Sequence, residues 1–259
     1  MNTAQIDKTK KYSAPALDKG LDIIEYLSSE SAARSQAEIA AGLDRSPNEI
    51  YRILVNLQAR GYLNRDENSG KYRLSLKLYS LSHTHSPIEQ LVNAARLPLQ
   101  ELAEKIGQAC HLSVPYNGQL MVVCQVKSPD PVSLSISEGT LFPLFTTTSG
   151  RVLLANFEHE EQERLLRSDS RFNGLSPTEQ EQAQQQLVQI REEGHHCAAS
   201  EITSGVTDCA AFVGTAASGL MAAVAVSSLT TTLGQRHDQK TITQALINTA
   251  EHINQRMGL

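Results

Sequence analysis

No stretch of this 259-residue chain is apolar for long enough to span a bilayer. Met1 to Ser13, polar and carrying Lys8, Lys10 and Lys11, has no hydrophobic segment of the signal-peptide kind. The two absences predict a soluble, unprocessed protein with no membrane partner, acting in the cytoplasm. Cys110, Cys124, Cys197 and Cys209 make no CxxC pair and no dense cluster, which excludes a zinc ribbon and a secreted disulfide framework and predicts reduced thiols. Nor is a metal set visible. His195, His196 and Cys197 are neighbours, and neighbours on an extended strand point to opposite faces, so they converge on neither an ion nor a nucleophile. His83 and His85 read as solvated residues of a connector. No internal repeat or low-complexity segment appears, although Gln180 to Gln186 is rich in glutamine, and no cofactor is expected.

What is present divides along the chain. The net charge of −5 conceals a front part, residues 1 to 80, with 12 Lys and Arg against 10 Asp and Glu, and a remainder with 11 against 18. The acidity therefore belongs to the back, and the front is free to approach a polyanion. Residues 1 to 13 read as a disordered arm, and 259 residues suit two domains.

Two capping boxes stand close together. Ser35, Gln36, Ala37, Glu38 starts a helix that ends near Gly42, and Ser46, Pro47, Asn48, Glu49 starts another with proline where its missing N–H costs nothing. On the second, Ile50, Ile53, Leu54 and Leu57 share the core face and leave Asn48, Tyr51, Arg52 and Asn56 pointing away. A first helix over Ala16 to Leu27, with Leu17, Leu21, Ile24 and Leu27 at helical spacing, is expected to supply the third wall of the core. Strands Tyr62 to Asp66 and Lys71 to Leu76 make a hairpin. The sum is a winged helix-turn-helix, or on spacing alone a small helical bundle with a hairpin.

In that frame Asn48, Tyr51 and Arg52 face a DNA groove. Ser35, Gln36, Arg45, Ser46 and Pro47 sit at helix starts suited to phosphates, and Lys71 and Arg73 extend the contact into the wing. Arg52 has a rival role as an internal brace.

From Ile88 to Ile106 an apolar stripe is interrupted by Pro98, which predicts a kink or division into a linker helix over residues 80–98 and the start of a domain over 99–259. Beyond Gly107 the period alternates. Cys110 to Tyr116 and Leu120 to Val126 flank an Asn117-Gly118 hairpin turn, and Val132, Leu134 and Ile136 suggest a third strand. Thr147, Thr148, Ser149 and Gly150 open a helix, and their hydroxyls, free amides and glycine describe an anion site or simply a cap. A third box at Ser176 to Glu179, strands near Val206 to Gly214 and Leu220 to Ser228, and a last helix over Asp238 to Met257 complete an α+β domain with a mainly antiparallel sheet.

In order, these parts resemble the IclR family of bacterial transcriptional regulators. The resemblance rests on Leu17 to Leu21, Ile50 to Leu54 with Gly61 to Leu63, Gly70 to Leu74, Pro143 to Ala155, and Gly194, Glu201, Gly205, Val206, Ala210 and Ala211. It implies a winged helix-turn-helix over residues 14–79 and a GAF-like effector domain. It also implies a homodimer, often a dimer of dimers, on a near-palindromic double-stranded operator, and a small effector, commonly an organic, aromatic or sugar-derived acid. By the same resemblance Ala198, Asp208, Ala225 and Ser227 line the pocket, with Cys209 next to it. This chain departs from members that carry a carboxylate at the position of Ala198 and a thiol at that of Asp208. Asp208 would accept from a hydroxyl or ammonium group and oppose a second carboxylate. The other classes open to the sequence are an enzyme using Cys197 or Cys209 with His196, and a protein-interaction adaptor.

Overall fold

The computed structural model describes residues 14–82, 87–130, 134–215, 219–229 and 238–259. The expected arm at residues 1–13, His83, His85 and Val132 lie outside them. The chain divides into two compact units between Ser86 and Pro87.

In the first unit, α1 (Pro15–Ser28), α2 (Gln36–Gly42) and α3 (Pro47–Ala59) precede the hairpin strands β1 (Leu63–Arg65) and β2 (Tyr72–Leu74), and α4 (Lys77–Ser82) follows. Ser35 caps α2 with both halves of the box formed. At α3 only half forms: Ser46 accepts from the Glu49 amide, while the Glu49 carboxylate turns to Lys19 at 2.5 Å and Arg45 at 3.3 Å. Two cations outcompete one backbone N–H for that carboxylate. The core is Ile23, Leu27, Ile39, Ala40, Ile50, Leu54, Leu63 and Tyr72. Leu17 and Leu21, expected inside, are instead 61% and 47% exposed, because α1 turns Gly20, Ile23 and Leu27 inward. Of the expected face, Leu27 is the residue that reaches the core. The wing is pinned to the helices by a bridge in which Arg34 and Tyr72 exchange backbone bonds of 2.9 and 2.7 Å.

The second unit is a six-stranded antiparallel sheet in the order β5-β4-β3-β8-β7-β6. Its strands are β3 (Cys110–Tyr116), β4 (Gln119–Val126), β5 (Leu141–Pro143), β6 (His195–Ala199), β7 (Val206–Gly214) and β8 (Met221–Leu229). Helices α5 (Pro87–Ile106) and α10 (Gln239–Met257) pack on one face. The other face carries α6 (Thr148–Asn156), α7 (His159–Ser168), α8 (Ser170–Asn173) and α9 (Pro177–Glu193). The Asn117-Gly118 turn has φ of 47° and 75°, the left-handed pair a two-residue hairpin requires.

Three expectations fail here. Of the kink or division expected at Pro98, the division is overturned: α5 runs through it from Pro87 to Ile106. Leu91, Ala95, Leu99, Leu102, Ala103 and Ile106 on either side pack into one core. The carbonyl that Pro98 cannot serve, that of Ala94, instead accepts from Arg256 Nε at 2.9 Å. Leu134 and Ile136 lie in irregular chain and not in a strand, and the edge of the sheet is taken by Leu141–Pro143. Finally, Cys197 and Cys209 are not free thiols. They oppose each other across β6 and β7 with Cα atoms 4.1 Å apart and form a disulfide. Cys110 and Cys124 are free and buried, and burial pushes the Cys110 thiol up to about 12.

Candidate functional site

Alternation on the sheet decides which side chains meet. On β7, Cys209, Ala211 and Val213 join the core under α5 and α10, so Asp208, Ala210 and Phe212 project to the α6 side. Ser227 pairs with Asp208 on β8, and Ala225 pairs with both Ala210 and His111. His111 and Asp208 therefore flank β8 on one face, diagonally across Ala225 and Ser227. Above this floor stands the start of α6. Thr147 caps it, accepting from the Gly150 amide at 3.1 Å and donating to the Pro143 carbonyl at 2.9 Å.

Between floor and helix lies a part-open cavity of about 140 Å³. Its polar wall brings together Thr147, Thr148, Ser149, Asp208, Ala225 and Ser227 from the expected set, and adds His111, Ser135, Ser200 and Thr203. Leu134, Ile136, Phe142 and Ile202 give it apolar sides. Ser227 donates to Asp208 Oδ1 at 2.6 Å. Burial holds the His111 imidazole down to about 4, with Asp208 opposing part of the effect, so the ring is neutral near pH 7. Among the described residues, no lysine or arginine belongs to the wall.

Three expected effector residues are placed elsewhere. Cys209 faces the opposite side of the sheet and is bonded to Cys197. Ala198 pairs with Asp208 on the edge strand β6 but does not reach the cavity. Gly150 is not on the wall either. A Cβ there would collide with the Leu144 carbonyl oxygen, so its close approach is to the protein's own chain and not to a ligand. Glu201 forms a salt bridge with Arg151, whose Nε also donates to the Phe145 carbonyl at 2.8 Å. Both are thereby withdrawn from the cavity. His111 was missed by sequence reading, yet a signal existed: His111 and Ser113 alternate as polar residues along an otherwise apolar strand, which marks one face as a polar floor.

In the first unit, Asn48, Tyr51 and Arg52 share an exposed face of α3, with Tyr51 at 53% exposure and Val55 one turn further at 43%. Arg52 makes no ion pair among the described residues. The brace considered for it falls to Arg45, which bonds Asp22 at 2.8 Å and approaches Glu49. Gln36 donates to the Pro47 carbonyl at 2.8 Å, Ser35 is spent on its cap, and Lys71 lies 3.6 Å from Glu38. Ser46, Pro47 and Arg73 are exposed.

Residues 86–255 match the model for the C-terminal domain of the bacterial transcriptional regulator IclR, and residues 16–67 match that of the IclR helix-turn-helix domain. Relatives include the HTH-type transcriptional regulator BhcR of Paracoccus denitrificans, 28% identical over 217 residues, 83% of this chain and 77% of that protein. The HTH-type transcriptional repressor AllR of Salmonella typhimurium is 22% identical over 259 residues, 98% of this chain and 94% of that protein. Among solved structures, the fold is similar to that of an IclR homolog from Microbacterium hydrocarbonoxydans complexed with 4-hydroxybenzoate. That likeness has a TM-score of 0.77 at 18% identity and covers 94% of this chain and 99% of that one. Thermotoga maritima IclR gives a TM-score of 0.71 at 18% identity, covering 94% and 98%. These matches are to transcriptional regulators and not to enzymes.

Proposed function

Because this chain belongs to the IclR family of bacterial transcriptional regulators, we propose that it acts in the cytoplasm as a dimer, or a dimer of dimers, on a near-palindromic operator. The face of α3 carrying Asn48, Tyr51 and Arg52 enters the major groove, while Ser46, Arg73 and Lys71 meet phosphates. Exposed Leu17 and Leu21 on α1 suit contact with a second copy. A small carboxylate in the cavity under α6 modulates operator binding. A related structure holds 4-hydroxybenzoate, a ligand of that size and charge.

The observation that carries this reading is an exposed, polar stripe on a serine-capped, proline-led helix whose other face is fully committed to the core. A groove-reading helix needs that division, and here it stands next to the short turn from α2 and the β1–β2 hairpin that a winged helix-turn-helix requires. Half-sites are expected about one helical turn apart, on the order of 34 Å, or a multiple of it. Footprinting on the promoter next to the protein's own gene tests the reading. Protection of a pseudo-palindrome at moderate salt is the expected result, and its absence would leave the adaptor class standing instead.

A further inference from the structure

Three side chains on the cavity wall have polar atoms with no hydrogen-bond partner among the described residues: His111, Thr148 and Ser149, each 7% exposed. These atoms face the cavity, where a ligand's polar groups can meet them in place of solvent, so three converging on one space describe a polar binding surface. The amides of Thr148 and Ser149 are also free, since the first bonds of α6 are made by the N–H groups of Gly150 and Arg151. Those two amides and two hydroxyls form a positive pole at one end of the cavity. The other end holds Asp208, which keeps acceptor capacity beyond the one bond from Ser227, with the His111 ring across β8 from it.

Building on the regulator reading above, we propose that the cavity takes a hydroxy monocarboxylate. The carboxylate sits on Thr148 and Ser149 and the hydroxyl lies between Asp208 and His111, so that Asp208 is the residue that rejects dicarboxylates. The charge balance requires it. Among the described residues the wall carries one formal negative charge, at Asp208, and no lysine or arginine, and the buried imidazole is neutral near pH 7. A single ligand carboxylate is met by the helix start, whereas a second would be placed against Asp208 without compensation. A hydroxyl donates to the carboxylate and accepts from the imidazole N–H. An ammonium only donates, which leaves the imidazole N–H unmet. Phe142 and Ile202 line the sides along the carbon body of such a ligand.

Two matched sets test this by calorimetric titration of the full chain: 4-hydroxybenzoate, benzoate and terephthalate, and 4-hydroxybutyrate, butyrate, succinate and 4-aminobutyrate. The expected result is that the hydroxy acid of at least one set binds tenfold or more tighter than its other members. In Asp208→Asn that preference should fall severalfold and the matching dicarboxylate should begin to bind. Asp208→Ser, also uncharged, should show the same loss of discrimination, which guards against one variant's failure to fold. The proposal is overturned if a dicarboxylate, the amino acid or the unsubstituted acid binds the unaltered protein as well as the hydroxy acid does. It is equally overturned if no member binds at 10 mM or if Asp208→Asn leaves the ranking unchanged. Footprinting with the same preparation separates the two readings, because an intact operator footprint with any of those results leaves the regulator assignment in place.

Discussion

Arg45 and Arg52 occupy neighbouring stretches of sequence yet meet opposite surroundings. Arg45 is held by Asp22 and Glu49, and the bond it donates to Asp22, ahead of any other influence, raises its guanidinium pKa from its already high value. Arg52 is exposed on the outer face of α3. A guanidinium without a protein partner is the one available to a base edge or a phosphate. Arg52→Ala is therefore expected to weaken operator binding by about 5- to 100-fold with an unchanged melting curve. Arg45→Ala should instead lower the melting temperature. Gel-shift titration paired with thermal melting of both variants checks the division of roles, and a destabilised Arg52→Ala protein would make that residue structural.

His111 carries a second prediction at this scale. Its folded pKa, about 4, lies below the ordinary histidine value, because burial disfavours the charged ring. In that window the unfolded chain binds a proton that the folded chain does not, so stability falls as pH drops from about 6.5 towards 4 and changes no further from this source below it. The full contribution is on the order of 3 kcal/mol. Chemical denaturation of the unliganded protein at pH 7 and pH 5 should show a loss that is smaller in His111→Gln. Equal losses in the two proteins would mean that the ring takes up its proton without resistance.

At the scale of elements, α5 shows how packing overrides a local rule. Proline in a helix interior removes a donor and costs about 3 kcal/mol, and the sequence accordingly suggests a kink or a division at Pro98. The helix persists because its apolar stripe is buried on both sides of the proline and because Arg256 of α10 bonds the stranded Ala94 carbonyl. Removing that donor strands the carbonyl again. Arg256→Ala is expected to lose about 1–3 kcal/mol in denaturant unfolding, and Arg256→Lys, which has a single-point donor, to recover part of it. No change in Arg256→Ala would assign the persistence of α5 to packing alone.

What could be read from the sequence at this scale follows the range of the physics involved. The boxes at Ser35 and Ser176, the Ser46 cap and the Asn117-Gly118 turn are settled by residues within four positions, and each forms at its expected place. The Thr147 cap belongs with them, and it brings Thr148 and Ser149 to the cavity. The Glu49 half-box failed because Lys19 arrives from another helix. The Cys197–Cys209 bond, the exclusion of Cys209 from the cavity and the presence of His111 in it all depend on the registers of β6, β7, β8 and β3. A one-residue slip would exchange every one of those faces, and no pattern within a single strand fixes which partner lies opposite.

For the whole molecule, the proposed operator face lies in one compact unit and the cavity in the other, so the proposed regulation is a coupling between units and obeys linkage. A ligand changes operator affinity only by the ratio of its affinities for the DNA-competent and incompetent states, and DNA must change ligand affinity by the same factor. The coupling element is not a break at Pro98, since α5 is continuous from its first residue in the second unit to Ile106. With a saturating hydroxy acid that binds the cavity, operator affinity is expected to shift by about 5- to 150-fold. Titrating the same acid into protein already bound to a short operator duplex should show its own affinity shifted by an equal factor in the same direction. Asp208→Asn, which weakens the acid, should reduce both shifts together when the acid is held at a fixed subsaturating concentration. An effect of the acid on DNA without the reciprocal effect of DNA on the acid would exclude coupling through the cavity and point to a second binding place for the acid, at the DNA interface itself.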